Sequence, residues 1–176
     1  DFYVVCTDMD TGEAVYHNCK KVEKEGFDWM RASASMPIVS RPVLIDGRRL
    51  SDGGSADSIP LRFFQSIGYD RNVVILTQPA SYRKEPMKHA GLMRFFLRKY
   101  PVLLKRLEGR YLEYNACLDR IREEEKAGRI FVVRPEEALC IGSVCHDPEE
   151  LERVYQIGRR EGEKRVPEML KFLEGA

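Results

Sequence analysis

Histidine, close cysteine pairs and net charge are all scarce in this chain of 176 residues. Its three histidines, His17, His89 and His146, lie far apart, and neither H-x-x-x-H nor H-E-x-x-H occurs. With no C-x-x-C pair either, the sequence offers no metal-ligand spacing, so no metal and no other cofactor is expected. The five cysteines are odd in number and scattered, and even Cys140 and Cys145 stand too far apart for a redox or zinc knuckle. They read as reduced thiols, which points to the cytoplasm rather than to a disulfide framework. A formal net charge of +1 gives nucleic-acid binding no support. No apolar run approaches the length of a membrane span, and no signal-peptide pattern occurs. Repeats and low-complexity segments are absent as well.

What is present is a folding composition, 43% hydrophobic and 32% charged. "FYVVCTD" (2–8) is a short β-branched run of the kind buried strands use. It opens the sequence, which predicts a chain that starts inside a domain. A turn at Asp10-Thr11-Gly12 and a return through Ala14 to Tyr16 predict a hairpin. A helix is expected next, with Phe27, Met30 and Ala34 on one face and Pro37 at its end. Val43 to Ile45, Asp46-Gly47 and a return ending at Ser51 predict a second hairpin. Pro60 fits the first turn of a helix that Gly68 stops, and 72–78 reads as another strand. That order predicts a βαβ crossover in an α/β sheet.

The character then changes. Residues 87–127 predict helix broken at Pro101 and Gly109, with Leu112, Ala116 and Ile121 facing inward. A strand is expected over 129–135. It is followed by a helix capped by Asp147 and Pro148 with a Leu151, Val154, Tyr155, Gly158 stripe, and then by a separate last helix carrying Met169, Leu170, Phe172 and Leu173. The division expected is therefore 1–80, a helical segment 81–128, and an extension 129–176.

The most specific stretch is "RRLSDGGSADSIP" (48–60). Two glycines behind Asp52 allow a sharp turn and hold side chains away from the carboxylate. Asp-Gly-Gly alone is an ordinary turn sequence. Its setting is not ordinary. "RASASMP" (31–37) precedes it, "SADSIP" (55–60) follows it, and "TD…TGE" marks the first hairpin.

In that order and spacing these pieces resemble the C-terminal part of a patatin-like phospholipase domain. The remainder resembles the C-terminal extension of a bacterial branch of the same family. The resemblance implies part of a three-layer α/β/α domain, followed by a mostly helical extension with a short strand. It implies a lipid acyl hydrolase working by a Ser–Asp dyad on a phospholipid, lysophospholipid or other carboxylic ester. Asp52 would be the dyad aspartate and proton acceptor, with Gly53 and Gly54 leaving room for the serine. The nucleophile is not in this sequence. G-x-S-x-G is absent, "GGSAD" lacks both the preceding buried strand and the second small residue, and no oxyanion loop is present. Ser33 and Ser35 read as packing or capping residues. The alternative is a non-catalytic membrane-docking or interaction module on a patatin-like scaffold.

Residues 82–110 interleave nine Lys or Arg with bulky apolar side chains and hold two glutamates, Glu85 and Glu108. Either this is a helical pair packed on the body with a solvated basic face, Phe95-Phe96-Leu97 forming an ordinary buried stripe, or it docks peripherally to an anionic membrane. The first reading is preferred from the sequence, and the oligomeric state is left open.

Overall fold

A computed structural model describes residues 1–20, 24–88, 90–142 and 144–175, so His89 lies outside the described residues. The fold is α/β, followed by a helical extension that carries a short strand. Its elements gather into two compact units, each built from two stretches of chain: 1–60 with 84–117, and 61–83 with 118–176.

The first unit is built on a four-stranded sheet ordered β2-β1-β4-β3, where β1 is Tyr3–Asp8, β2 Ala14–Asn18, β3 Val43–Ile45 and β4 Arg48–Asp52. Every pairing is antiparallel, and β1 meets β4 in the register Cys6↔Asp52, Thr7↔Ser51, Asp8↔Leu50. Both expected hairpins are present. Asp46 and Gly47 have φ of 51° and 75°, which is the left-handed pair a type I′ turn needs. In the first hairpin the buried Asp8 carboxylate accepts from the Asp10 and Thr11 amides, and Gly12 has φ 71°. The "TD…TGE" signature is therefore a side-chain-capped turn. Arg49 of β4 holds that turn from outside with two bonds to Asp10.

Helix α1 (Lys24–Ser33) covers the sheet. Trp29 and Ala32 enter a core of Val4, Cys6, Cys19, Val43, Ile45 and Leu50, and the Trp29 ring stacks on His17 at 4.1 Å. This corrects the face expected from spacing: Phe27 and Ala34 are exposed, and Met30 is only half-buried. Helical periodicity offers more than one stripe, and the sheet selects the one that carries the largest ring. A second cluster joins Met9 to Leu97 and Leu103, from α3 (Ala90–Phe96), the turn after it, and α4 (Pro101–Lys126).

Helix α4 contains no break. Pro101 opens it, where a missing N–H costs nothing, and Gly109 is carried inside it. Leu112 and Ala116 are exposed, and Leu118 and Ile121 are the buried positions.

In the second unit β5 (Asn72–Ile75) pairs in parallel with β6 (Ile130–Val133). The predicted crossover is thus not formed. Helix α2 (Leu61–Ser66) leads out of β4 into a strand of a different sheet, and the parallel partner of β5 comes from the extension. Helix α5 (Pro148–Glu174) starts as expected, with Asp147 accepting from the Glu149 amide at 3.0 Å. It then runs on through Pro167 as one helix, not two, and none of its side chains is buried. Its C-terminal carbonyls of Phe172 and Leu173 accept from Arg71.

Candidate active site

Asp52 is the last residue of β4, and four contacts fix it. Its amide donates to the Ser35 carbonyl at 2.9 Å, and its carbonyl accepts from Thr7 Oγ1 at 2.7 Å. The register holds it against Cys6, and its Oδ1 accepts from the Gly54 amide at 2.6 Å. That last bond makes Asp52 the cap of a single 3₁₀ turn, Gly53–Ser55. Among the described residues no hydrogen bond reaches Oδ2. One carboxylate oxygen is locked and the other is left to accept.

The two glycines serve two different needs, and neither has a positive φ. A Cβ on Gly53 would lie 2.2 Å from the Val5 carbonyl oxygen, so this position is glycine because the backbone of β1 passes against it. A Cβ on Gly54 would lie 2.9 Å from Asp52 Oδ1 and 3.1 Å from Arg110 Nη2. The clearance expected for an approaching serine is, at Gly53, clearance for the neighbouring strand. Only Gly54 opens space beside the carboxylate.

Thr7, Ser35, Arg106 and Arg110 support the turn, and sequence reading singled out none of them as a site residue. Thr7 is fully buried. Besides donating to Asp52, its Oγ1 accepts from the Ala56 amide at 3.1 Å and so ties both ends of the 3₁₀ turn to β1. Ser35 donates its hydroxyl to the Arg31 carbonyl while its own carbonyl holds Asp52. One turn apart on α4, Arg106 donates to the Ala56 carbonyl at 2.8 Å and Arg110 to Ser58 Oγ at 3.1 Å. Residues this far apart in sequence carry no local signal of their meeting. Thr7→Val keeps the shape and strips both bonds, leaving the Asp52 carbonyl without its Thr7 donor and the Ala56 amide with the Gly53 carbonyl alone. It is expected to cost about 1–3 kcal/mol, read as a lower urea midpoint; an unchanged midpoint would show that the bridge carries no stability.

Among the described residues no hydroxyl or thiol hydrogen-bonds to the Asp52 carboxylate. Ser55 is buried, and Ser58 spends its hydroxyl on the Gly54 carbonyl. Burial, with Cys19 and Asp52 nearby, pushes the Cys6 thiol up to about 12, so it stays protonated and inert. Asp57 is held by Tyr16, whose hydroxyl donates to it at 2.6 Å; burial and that bond push the phenol further up. Beside the glycine pair lies a groove of about 380 Å³, lined by Phe2, Val5, Met30, Ser33, Gly53, Gly54 and Pro60 among others.

Residues 5–64 match the family model described as "Patatin-like phospholipase". Over this segment the chain is similar to patatin-like phospholipases. The match spans β1 through the start of α2 and so includes Asp52, both glycines and the Thr7 and Ser35 anchors. The description of that model points to lipid hydrolysis as the activity of the proteins this segment resembles. Residues 100–174, from α4 to the end of α5, match a second model, "Domain of unknown function (DUF6363)". Arg106 and Arg110 belong to that second stretch, although both hydrogen-bond to the patatin-like turn.

Proposed function

We propose that Asp52 is the general base of a Ser–Asp dyad in a lipid acyl hydrolase. The observation that carries this reading is the carboxylate itself, pinned through its backbone and Oδ1 while Oδ2 has no partner among the described residues. A serine hydroxyl bonded to Oδ2 would lose its proton to it as the hydroxyl attacks an ester carbonyl, and Asp52 would return that proton to the alcohol as it leaves, restoring the carboxylate. Water, deprotonated by the same carboxylate, then releases the fatty acid from the acyl-serine. A base held by bonds to three elements needs little reorganisation, which is the positional part of such catalysis.

The nucleophilic serine and the oxyanion donors come from residues outside 1–176, since among the described residues no serine hydrogen-bonds to Asp52 Oδ2 and the sequence holds no G-x-S-x-G. The groove beside Gly53 and Gly54 is where the segment bearing that serine would lie. The substrate is a phospholipid, lysophospholipid or other carboxylic ester. The enzyme acts from the cytoplasm, in peripheral contact with a membrane through 82–110.

The test is hydrolysis of a short-chain nitrophenyl ester and of a phosphatidylcholine by the full-length protein. Turnover that a fluorophosphonate abolishes is expected. A folded full-length protein that hydrolyses neither would leave the non-catalytic docking module as the better account.

A further inference from the structure

Helix α3 and the turn after it carry two apolar faces, and among the described residues only one of them is packed. Met93, Leu97 and Tyr100 point toward Met9 and Leu103 in the second core cluster. Leu92, Phe95 and Phe96 occupy the other face at helical spacing and are 60%, 62% and 54% exposed. The buried stripe expected of Phe95-Phe96-Leu97 is thus confined to Leu97. The two phenyl rings meet edge to face with centroids 5.6 Å apart, a preformed apolar wedge. Burying two adjacent phenylalanines is strongly favourable, so leaving them in water is a standing cost that a docking partner would remove.

The charge around the wedge selects that partner. Arg94 is paired with Glu108 and Lys88 with Glu85, so the two glutamates of the segment are already engaged. Arg98, Lys99 and Lys105 are exposed and join no acidic side chain among the described residues, and Arg98 lies 5.5 Å over the Phe95 ring. Aromatic rings rimmed by uncompensated cations suit the headgroup boundary of a bilayer, with the rings among the acyl chains and the cations at the phosphates.

We infer that Leu92, Phe95 and Phe96, with Arg98, Lys99 and Lys105, form a surface that docks the protein on an anionic membrane. This deepens the lipid-hydrolase reading and rests on it for its purpose, but vesicle binding is measured without turnover, so the two fail separately.

The experiment is flotation of the protein with vesicles of phosphatidylcholine alone or mixed equally with phosphatidylglycerol. Wild type is expected to bind the mixed vesicles at least about tenfold more tightly, and to be released by salt. Phe95→Ser with Phe96→Ser lowers binding to mixed vesicles about tenfold or more. Arg98→Gln, Lys99→Gln and Lys105→Gln together remove most of the preference for mixed over neutral vesicles. All five side chains are exposed, so both variants fold, which circular dichroism verifies. The inference is overturned if wild type does not bind mixed vesicles, or if both variants bind as wild type does. It is also overturned if the Phe95, Phe96 variant loses only self-association in sedimentation equilibrium.

Discussion

Asp52→Asn in the full-length protein lowers kcat/KM for ester hydrolysis by about 1,000-fold or more, roughly 4 kcal/mol of barrier. The substitution removes the base and very little else. An asparagine carbonyl can still accept from the Gly54 amide, so the cap on the 3₁₀ turn survives. The backbone bonds to Ser35 and Thr7 do not involve the side chain at all. The urea midpoint should therefore stay close to wild type while turnover collapses. Loss of both together would mark Asp52 as a structural residue, and loss of neither would remove it from the mechanism.

Gly53→Ala and Gly54→Ala separate stability from catalysis at adjacent positions. At Gly53 the new methyl meets backbone, the Val5 carbonyl at 2.2 Å, and a strand cannot step aside without breaking its pairing with β4. The expected loss is more than about 3 kcal/mol of stability, above the usual range for overpacking because no side chain can give. At Gly54 the methyl meets the ends of two side chains, Asp52 Oδ1 and Arg110 Nη2; Arg110 can swing away, and the carboxylate can shift slightly against its bond to the Gly54 amide. Stability should fall by about 1 kcal/mol or less. Activity should drop about 10-fold to 100-fold, because displacing the carboxylate by a fraction of an ångström spoils its alignment. Chemical denaturation and ester assays on the two variants read the two effects. The same loss of stability at both glycines would contradict the distinct roles assigned to them.

Much of this arrangement was legible where the signal is local. Asp46-Gly47, the Thr11-Gly12 turn, Asp147-Pro148 and Asp52-Gly53-Gly54 each announce a backbone feature within a few residues, and each feature is present. What was not legible depends on partners distant in the chain. Phe27 and Trp29 compete for the same helix, and only the sheet decides that Trp29 goes in. The pairing of β5 with β6 is set across more than fifty residues that carry no pairing signal. Gly53 reads as clearance beside the Asp52 carboxylate, but a Cβ there would meet the backbone of Val5, in another strand. Thr7, Ser35 and Arg110 look unremarkable in sequence and become supports of the site only when the fold brings them to Asp52. At Phe95 and Phe96 the apolar pattern was read as core. Pattern shows that a face is apolar, and the fold shows which apolar face has nothing to pack on.

The central claim is that Asp52 activates a serine, and phosphonylation tests it most directly. Wild-type full-length protein and Asp52→Asn would be treated with a fluorophosphonate probe, the labelled residue located by mass spectrometry, and the two labelling rates compared. The account predicts a single labelled serine outside residues 1–176, modified rapidly in wild type and about 1,000-fold more slowly without the carboxylate. Equal rates in the two proteins, or a label on Ser55 or Ser58, would contradict it.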